Sequence, residues 1–331
     1  MIRCAVVGLG WWGRTIVETL AGSAQLTVRA AVDVNPEAAE TARRLGIAFA
    51  SDFAQVLGDP GIDAVVLCTP HSQHSRQIRQ AAAAGKHVFC EKPLALTRAD
   101  AEQAIAACNA CHVVLGVGHE RRFEPPVVAL KRLVDAGELG TLLQIEANFS
   151  QDRFLALPAG NWRLSEAEAP AGPMTATGIH LLDLAVGFLG PAERVLVKVG
   201  QLGSELANGD TFGALVMFRS GANALISAML ATAFDGRFAV YGNRGWVEIR
   251  DKAHPERPQG WTVTTSLRGG DRQTVDRPPA SAVRANLEAF AAAAAGRAPY
   301  PYPQREMIET ISALEAIVRS ARSRAIEAVE R

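Results

Sequence analysis

Near its start the chain carries Gly8-Leu9-Gly10-Trp11-Trp12-Gly13, directly after the apolar run Ile2 to Val7 and opening a helical stretch to about Leu20. Glycines alone mark turns. Here strand, glycine turn and helix follow in order, with Asp33 twenty residues beyond Gly13 at the end of the next apolar run, and that context is the fingerprint of a dinucleotide pyrophosphate site. Gly8 permits the tight turn, Gly10 lets phosphate oxygens approach bare backbone, and Gly13 lets helix and strand close together. The backbone from Leu9 to Trp12 would offer N–H groups and positive dipole to the phosphates. One of Trp11 and Trp12 can face the nicotinamide end while the other packs; packing of both is the competing reading. Asp33 can accept hydrogen bonds from ribose hydroxyls and its charge repels a 2′-phosphate, so NAD is expected. Arg43 and Arg44 on the next helix keep NADP possible.

Ligands of open α/β sheets bind beyond the carboxyl ends of the strands, where this chain places Thr69-Pro70-His71 and Glu91-Lys92-Pro93. A lysine beside a nicotinamide has a task open to it. Desolvation and the cofactor's positive charge both favour its neutral form, which can polarise a substrate oxygen or pass a proton. A surface lysine in a turn is the plainer alternative. His71 and His74 have the spacing of a metal pair, and Cys108-Asn109-Ala110-Cys111 spells C-x-x-C, yet neither has the further ligands a zinc site needs, so no metal is expected.

Short apolar strands alternate with helices up to about residue 120: Leu26 to Val32, Ala64 to Cys68, Val88 to Cys90 and Val113 to Val117, with Gly46 and Gly85 as helix stops. That rhythm predicts a doubly wound parallel sheet, a Rossmann domain over 1–120. The rhythm then changes. Leu139 to Ser150 reads as one long strand, an Ala/Pro/Gly-rich loop leads to an amphipathic helix near Thr175 to Leu189, and six strands separated by short turns fill 194–266. The fold class expected is therefore α/β followed by an α+β domain, 121–331, with a large, mainly antiparallel open-faced sheet. Helices at about 281–296 and 304–322 finish the chain and could pack back on the first domain.

Composition narrows the partners. The chain has 331 residues, 34 Lys plus Arg against 34 Asp plus Glu, and 48% hydrophobic residues; zero net charge gives no reason to expect nucleic acid or a membrane surface. No apolar stretch approaches a bilayer span and no signal-peptide pattern stands at the start. Five cysteines are too few and odd in number for a disulfide framework, which points to a reducing cytoplasm. Leu215, Val216, Met217, Leu225, Ile226 and Met229 make the second sheet apolar enough to expect a homodimer or homotetramer through it.

Together Gly8–Gly13, Ala64–His74 (AVVLCTPHSQH), Gly85–Pro93 (GKHVFCEKP), Gly118–Pro125 (GHERRFEP) and Gly137–Gly140 (GELG) resemble the Gfo/Idh/MocA family of oxidoreductases, over nearly the whole chain. Asn161-Trp162-Arg163 and Gly178-Ile179-His180 with Asp183 also match. The resemblance implies a Rossmann domain joined to an open-sheet domain, NAD or NADP, and a sugar, cyclitol or diol as polyhydroxylated substrate. It implies a catalytic Lys92, whose bond to Pro93 is often cis in the family, with His71, His74 and Glu91 in the cofactor loops. His180 is the family histidine, a proton relay or substrate hydrogen bonder. Read from the residues themselves, Arg163 could clamp a substrate carboxylate or hydroxyl, with a surface salt bridge as the competing reading, and Thr177 is a further candidate substrate contact. One departure stands out: where the inositol dehydrogenase branch has an aspartate four residues before the histidine, this chain has Ala176. Asp183 could assist His180, though the family pattern suggests a structural role, and Arg121 and Arg122 read as holding the domain junction. The alternatives are a non-catalytic dinucleotide-binding regulator and an NAD-assisted glycosidase.

Overall fold

The computed structural model describes residues 1–330, which fall into two compact units. The first comprises Met1–Glu120 and Val283–Met307. In it β1 (Ile2–Val7), β2 (Leu26–Val32), β3 (Ala48–Ala50), β4 (Ala64–Leu67), β5 (His87–Cys90) and β6 (Leu115–Val117) alternate with α1 (Trp11–Leu20), α2 (Ala38–Arg44), α3 (Phe53–Leu57), α4 (His74–Ala83) and α5 (Arg98–Ala110). The strands form a parallel sheet in the order β3-β2-β1-β4-β5-β6. Helices on both faces explain why β4 is buried at every residue. The order reverses between β1 and β4, so the switch point, where such sheets bind ligands, lies at the carboxyl end of β1. The core joins Val6, Ile16, Leu26 and Val66 to Leu287 and Phe290 of α8 (Ala282–Ala294).

The second unit runs over Arg121–Ala282 and resumes at Ile308. It begins with α6 (Pro125–Asp135) and β7 (Leu142–Ser150), followed by α7 (Ile179–Leu189) and the strands β8 (Ala192–Gly200), β9 (Thr211–Phe218), β10 (Asn223–Met229), β11 (Asp235–Gly242), β12 (Gly245–Asp251), β13 (Trp261–Leu267) and β14 (Gln273–Arg277). The last helix, α9 (Gln304–Ser323), leads to the short β15 (Glu327–Ala328). Among the described residues these strands make a nine-stranded sheet, β14-β13-β12-β11-β7-β10-β9-β8-β15. Every pairing in it is antiparallel except β7 with β10.

Three expectations need adjusting. The two closing helices do not share a unit: α8 counts with the first from Val283, whereas α9 counts with the second from Ile308, where Ser320 takes the Val197 N–H at 3.1 Å. The helix ending at Leu189 is not amphipathic. Every residue from Ile179 to Val186 is buried, as expected of a helix apolar all round, and its entry, Met174–Gly178, is a π-turn. Finally, the six apolar sheet residues divide between two faces. Val216 and Ile226 are buried, whereas Leu225 is 44% exposed, because side chains alternate along a strand.

Candidate active site

At the end of β1 the chain turns through Gly8, at φ 91°. A Cβ there would lie 2.7 Å from the Cys68 carbonyl oxygen, and one on Gly13 would lie 1.9 Å from the Gly8 carbonyl oxygen. Both glycines are required by the protein's own backbone. Gly10 is different: nothing lies within 4 Å of the Cβ it lacks. Its bare backbone leaves room for a group from outside, and α1 starts there with no side-chain cap from Gly10 and no acid in its first turn. Such a helix start suits a pyrophosphate.

Asp33 stands where the fingerprint needs it and also braces the turn. One carboxylate oxygen accepts the Leu9 N–H at 2.7 Å, the other the Asn35 N–H at 2.9 Å, and each keeps a lone pair for a ribose hydroxyl. Arg43 is engaged by Glu40 at 2.7 Å. Trp12 packs against the first core, and Trp11 is 37% exposed. Val34, next to Asp33, is 92% exposed.

Thr69 and Pro70 follow β4. The Thr69 hydroxyl bonds Gln77 at 2.6 Å. His74 is fully buried, with Nδ1 2.7 Å from the Pro93 carbonyl and Nε2 3.0 Å from the Thr69 carbonyl. Its ring thus ties two strand-end loops together, and His71 packs edge-on against it at 5.7 Å. Lys92 follows β5, and its bond to Pro93 is cis. Its backbone N–H reaches the Glu91 carboxylate at 3.3 Å. Glu91 is itself buried, and a Cβ on Gly118 would come within 2.5 Å of it; this carboxylate braces the lysine loop from behind. Burial, and then the Glu91 charge, push the adjacent Cys90 thiol well above its ordinary range.

In the second unit His180 is buried on α7, its ring centroid 6.1 Å from that of Phe149 at the end of β7. Thr177 bonds the Phe149 carbonyl at 2.9 Å and the Pro173 carbonyl at 3.1 Å. At 2% exposure it secures the π-turn to β7. Ala176 packs against Phe154, Leu206 and Leu230. Asp183 is held by Arg122, and Arg121 is buried between Glu124 and Asp251 with its guanidinium 5.2 Å from the Phe149 ring. Arg163 stacks on Trp162 at 4.1 Å, which presents its fork in a fixed plane. His254, on the loop after β12, lies with its ring 5.6 Å from that of Phe149.

Two family models match. Residues 2–119 fit the oxidoreductase family with NAD-binding Rossmann fold, and residues 127–248 fit the GFO/IDH/MocA C-terminal domain. The chain is 34% identical over 268 residues to scyllo-inositol 2-dehydrogenase (NAD(+)) of Bacillus subtilis, covering 76% of this chain and 75% of that protein. It belongs to the Gfo/Idh/MocA family of oxidoreductases. Members similar to it include myo-inositol 2-dehydrogenase of Thermotoga maritima, 31% identical over 255 residues and covering 74% of each chain. Aldose-aldose oxidoreductase of Caulobacter crescentus, solved with glycerol, superposes with a TM-score of 0.86 at 28% identity over 99% of both chains. The Gfo/Idh/MocA family is NAD-binding, and the open Gly10 backbone, α1 N-terminus and Asp33 carboxylate of this member fit that cofactor.

Proposed function

We propose that this chain is a dehydrogenase oxidising a secondary alcohol of a sugar, cyclitol or cyclic diol, or reducing the matching ketone. The observation that carries the reading is the position of Lys92. It follows β5, which only β4 separates from β1, so the lysine and the glycine turn share one edge of one sheet. Bound NAD supplies the hydride acceptor. Lys92 polarises the reacting hydroxyl and takes its proton; Glu91, fixed against Gly118, holds the lysine's loop. In the second unit His180, its ring steadied by Phe149, is the candidate hydrogen bonder for a polyol. Arg163 offers a planar fork to substrate hydroxyls.

The exposed face of the second sheet, with Leu225 and Leu196 at 44% and 40% exposure, supports pairing of two copies through it. All five cysteines are free, which supports a reducing cytoplasm as the working compartment. Among the described residues no helix is long and apolar enough to cross a membrane.

The test is NAD reduction, followed by absorbance of the reduced nicotinamide, over scyllo-inositol, myo-inositol, levoglucosan, D-glucose and cis-dihydrodiols. Reduction with at least one of them is expected. Binding of NAD without reduction by any would indicate the regulatory alternative, and bond hydrolysis without net reduction the glycosidase.

A further inference from the structure

Strand register fixes what the uncovered side of the second unit's sheet displays. Val197, Ala214, Ile226, Ala147, Phe238 and Ile249 are buried, so the residues on either side of each in sequence point to the opposite side. Register sets those residues in two rows running across the strands. One row is Leu196, Leu215 and Leu225, continued by Glu146, Ala239 and Glu248. Beside it run Lys198, Gly213 and Ser227, continued by Asn148, Arg237 and Arg250.

The first row stands up and the second sinks. Leu196 and Leu225 are exposed, whereas the Cβ that Gly213 lacks would meet nothing within 4 Å. A furrow of about 300 Å³ lies here, lined by Gly213, Ser227, Leu225, Glu146 and Arg237. Charge follows the same division. The leucine row carries the carboxylates and the furrow row the cations, with Arg237 2.9 Å from Glu146 and Arg250 3.0 Å from Glu248.

We propose that a second copy of this chain covers this face about a two-fold axis that runs across the strands between the two rows. Each copy's leucine ridge then lies in the other's furrow. The inference rests on the pairing of copies proposed above and gives that pairing a register. A two-fold interface is built from one patch used twice, so ridge and furrow must lie side by side on it, as they do here. Gly213 and Ser227 receive the partner's Leu215 and the partner's Leu225. The Lys198 stem covers the partner's Leu196, and Arg250 meets the partner's Glu248. An axis along the strands at mid-sheet would instead set leucines against Glu146 and Glu248, leaving carboxylates desolvated against hydrocarbon. The area is sufficient. Eight strands about 4.8 Å apart, each about seven residues long at about 3.3 Å per residue, give roughly 800 Å², the share of one partner in a stable interface.

The test is the dissociation constant of the paired full chain by analytical ultracentrifugation, for wild type and variants of this face. Wild type should sediment above the mass of one chain. Gly213→Leu has room for its side chain and should fold, but it fills the furrow, and Kd should rise at least about 100-fold. Arg250→Glu sets like charges together twice and should raise Kd at least about tenfold, as should Glu248→Arg. The double variant Glu248→Arg/Arg250→Glu should return to within about threefold of wild type, because the exchanged rows still complement each other. Unchanged NAD affinity serves as the check on folding. If Gly213→Leu does not fold, Leu225→Ala decides, with a rise of at least about tenfold expected from the two leucines lost per pair. An unchanged Kd in the furrow variant, or a double reversal that pairs no better than the single ones, overturns this register while pairing by another stands. A wild type that sediments as one chain at all concentrations removes the pairing itself, and this inference with it.

Discussion

Arg122 grips Asp183 with both arms of its guanidinium: Nε lies 2.6 Å from one carboxylate oxygen and Nη2 2.9 Å from the other, with the Asp183 carbonyl 3.0 Å from Nη2. Room for the fork comes from Gly187, where a Cβ would stand 3.1 Å from it. Asp183 lies three residues after His180 on α7, yet its carboxylate is committed to the arginine and serves the fold. Arg122→Ala would strand a carboxylate that is 1% exposed. We expect a loss of about 3–5 kcal/mol, seen as a lower urea midpoint. NAD affinity, which belongs to the other unit, should remain.

The glycine turn gives a paired prediction that separates folding from binding. Gly13→Ala drives a methyl group into the Gly8 carbonyl and should destabilise the first unit by about 3 kcal/mol or more. Gly10→Ala adds a methyl group to open space; stability should change by less than about 1 kcal/mol. The NAD Kd, measured by calorimetry, should nevertheless rise at least about tenfold, because the added group stands where the pyrophosphate must approach. Equal NAD affinity in Gly10→Ala and wild type would remove the turn from cofactor binding.

Asp33→Ala should weaken NAD far more than NADP. The ribose loses a charged acceptor, about 1.5–3 kcal/mol or roughly 10- to 100-fold, while a 2′-phosphate is relieved of repulsion. The Leu9 N–H also loses its partner, so a modest drop in melting temperature should accompany the change. The ratio of the two dissociation constants by calorimetry is the readout, and an unaltered ratio would leave Asp33 only its bracing role.

Much of this molecule can be read from its residues. Runs such as Ala64 to Leu67 are apolar on both faces and could only be central strands, and the Gly8–Gly13 turn with Asp33 marks the switch point directly. What escaped has physical reasons. β3 and β14 are edge strands, one of three residues and the other exposed throughout, so neither needs an apolar pattern. The π-turn at Met174–Gly178 breaks the 3.6-residue period on which helical spacing depends, which is why Thr177 turns to backbone carbonyls. His74 is fully buried and meets the Pro93 and Thr69 carbonyls, a tie between loops that its residue type alone does not announce.

The most direct test of the account is the first turnover of Lys92→Met against wild type, both saturated with NAD and mixed rapidly with the best polyol of the panel. Loss of the amine should slow the appearance of reduced nicotinamide about 100- to 10,000-fold, with the NAD dissociation constant within about twofold of wild type. Reduction at the wild-type rate in Lys92→Met would contradict it.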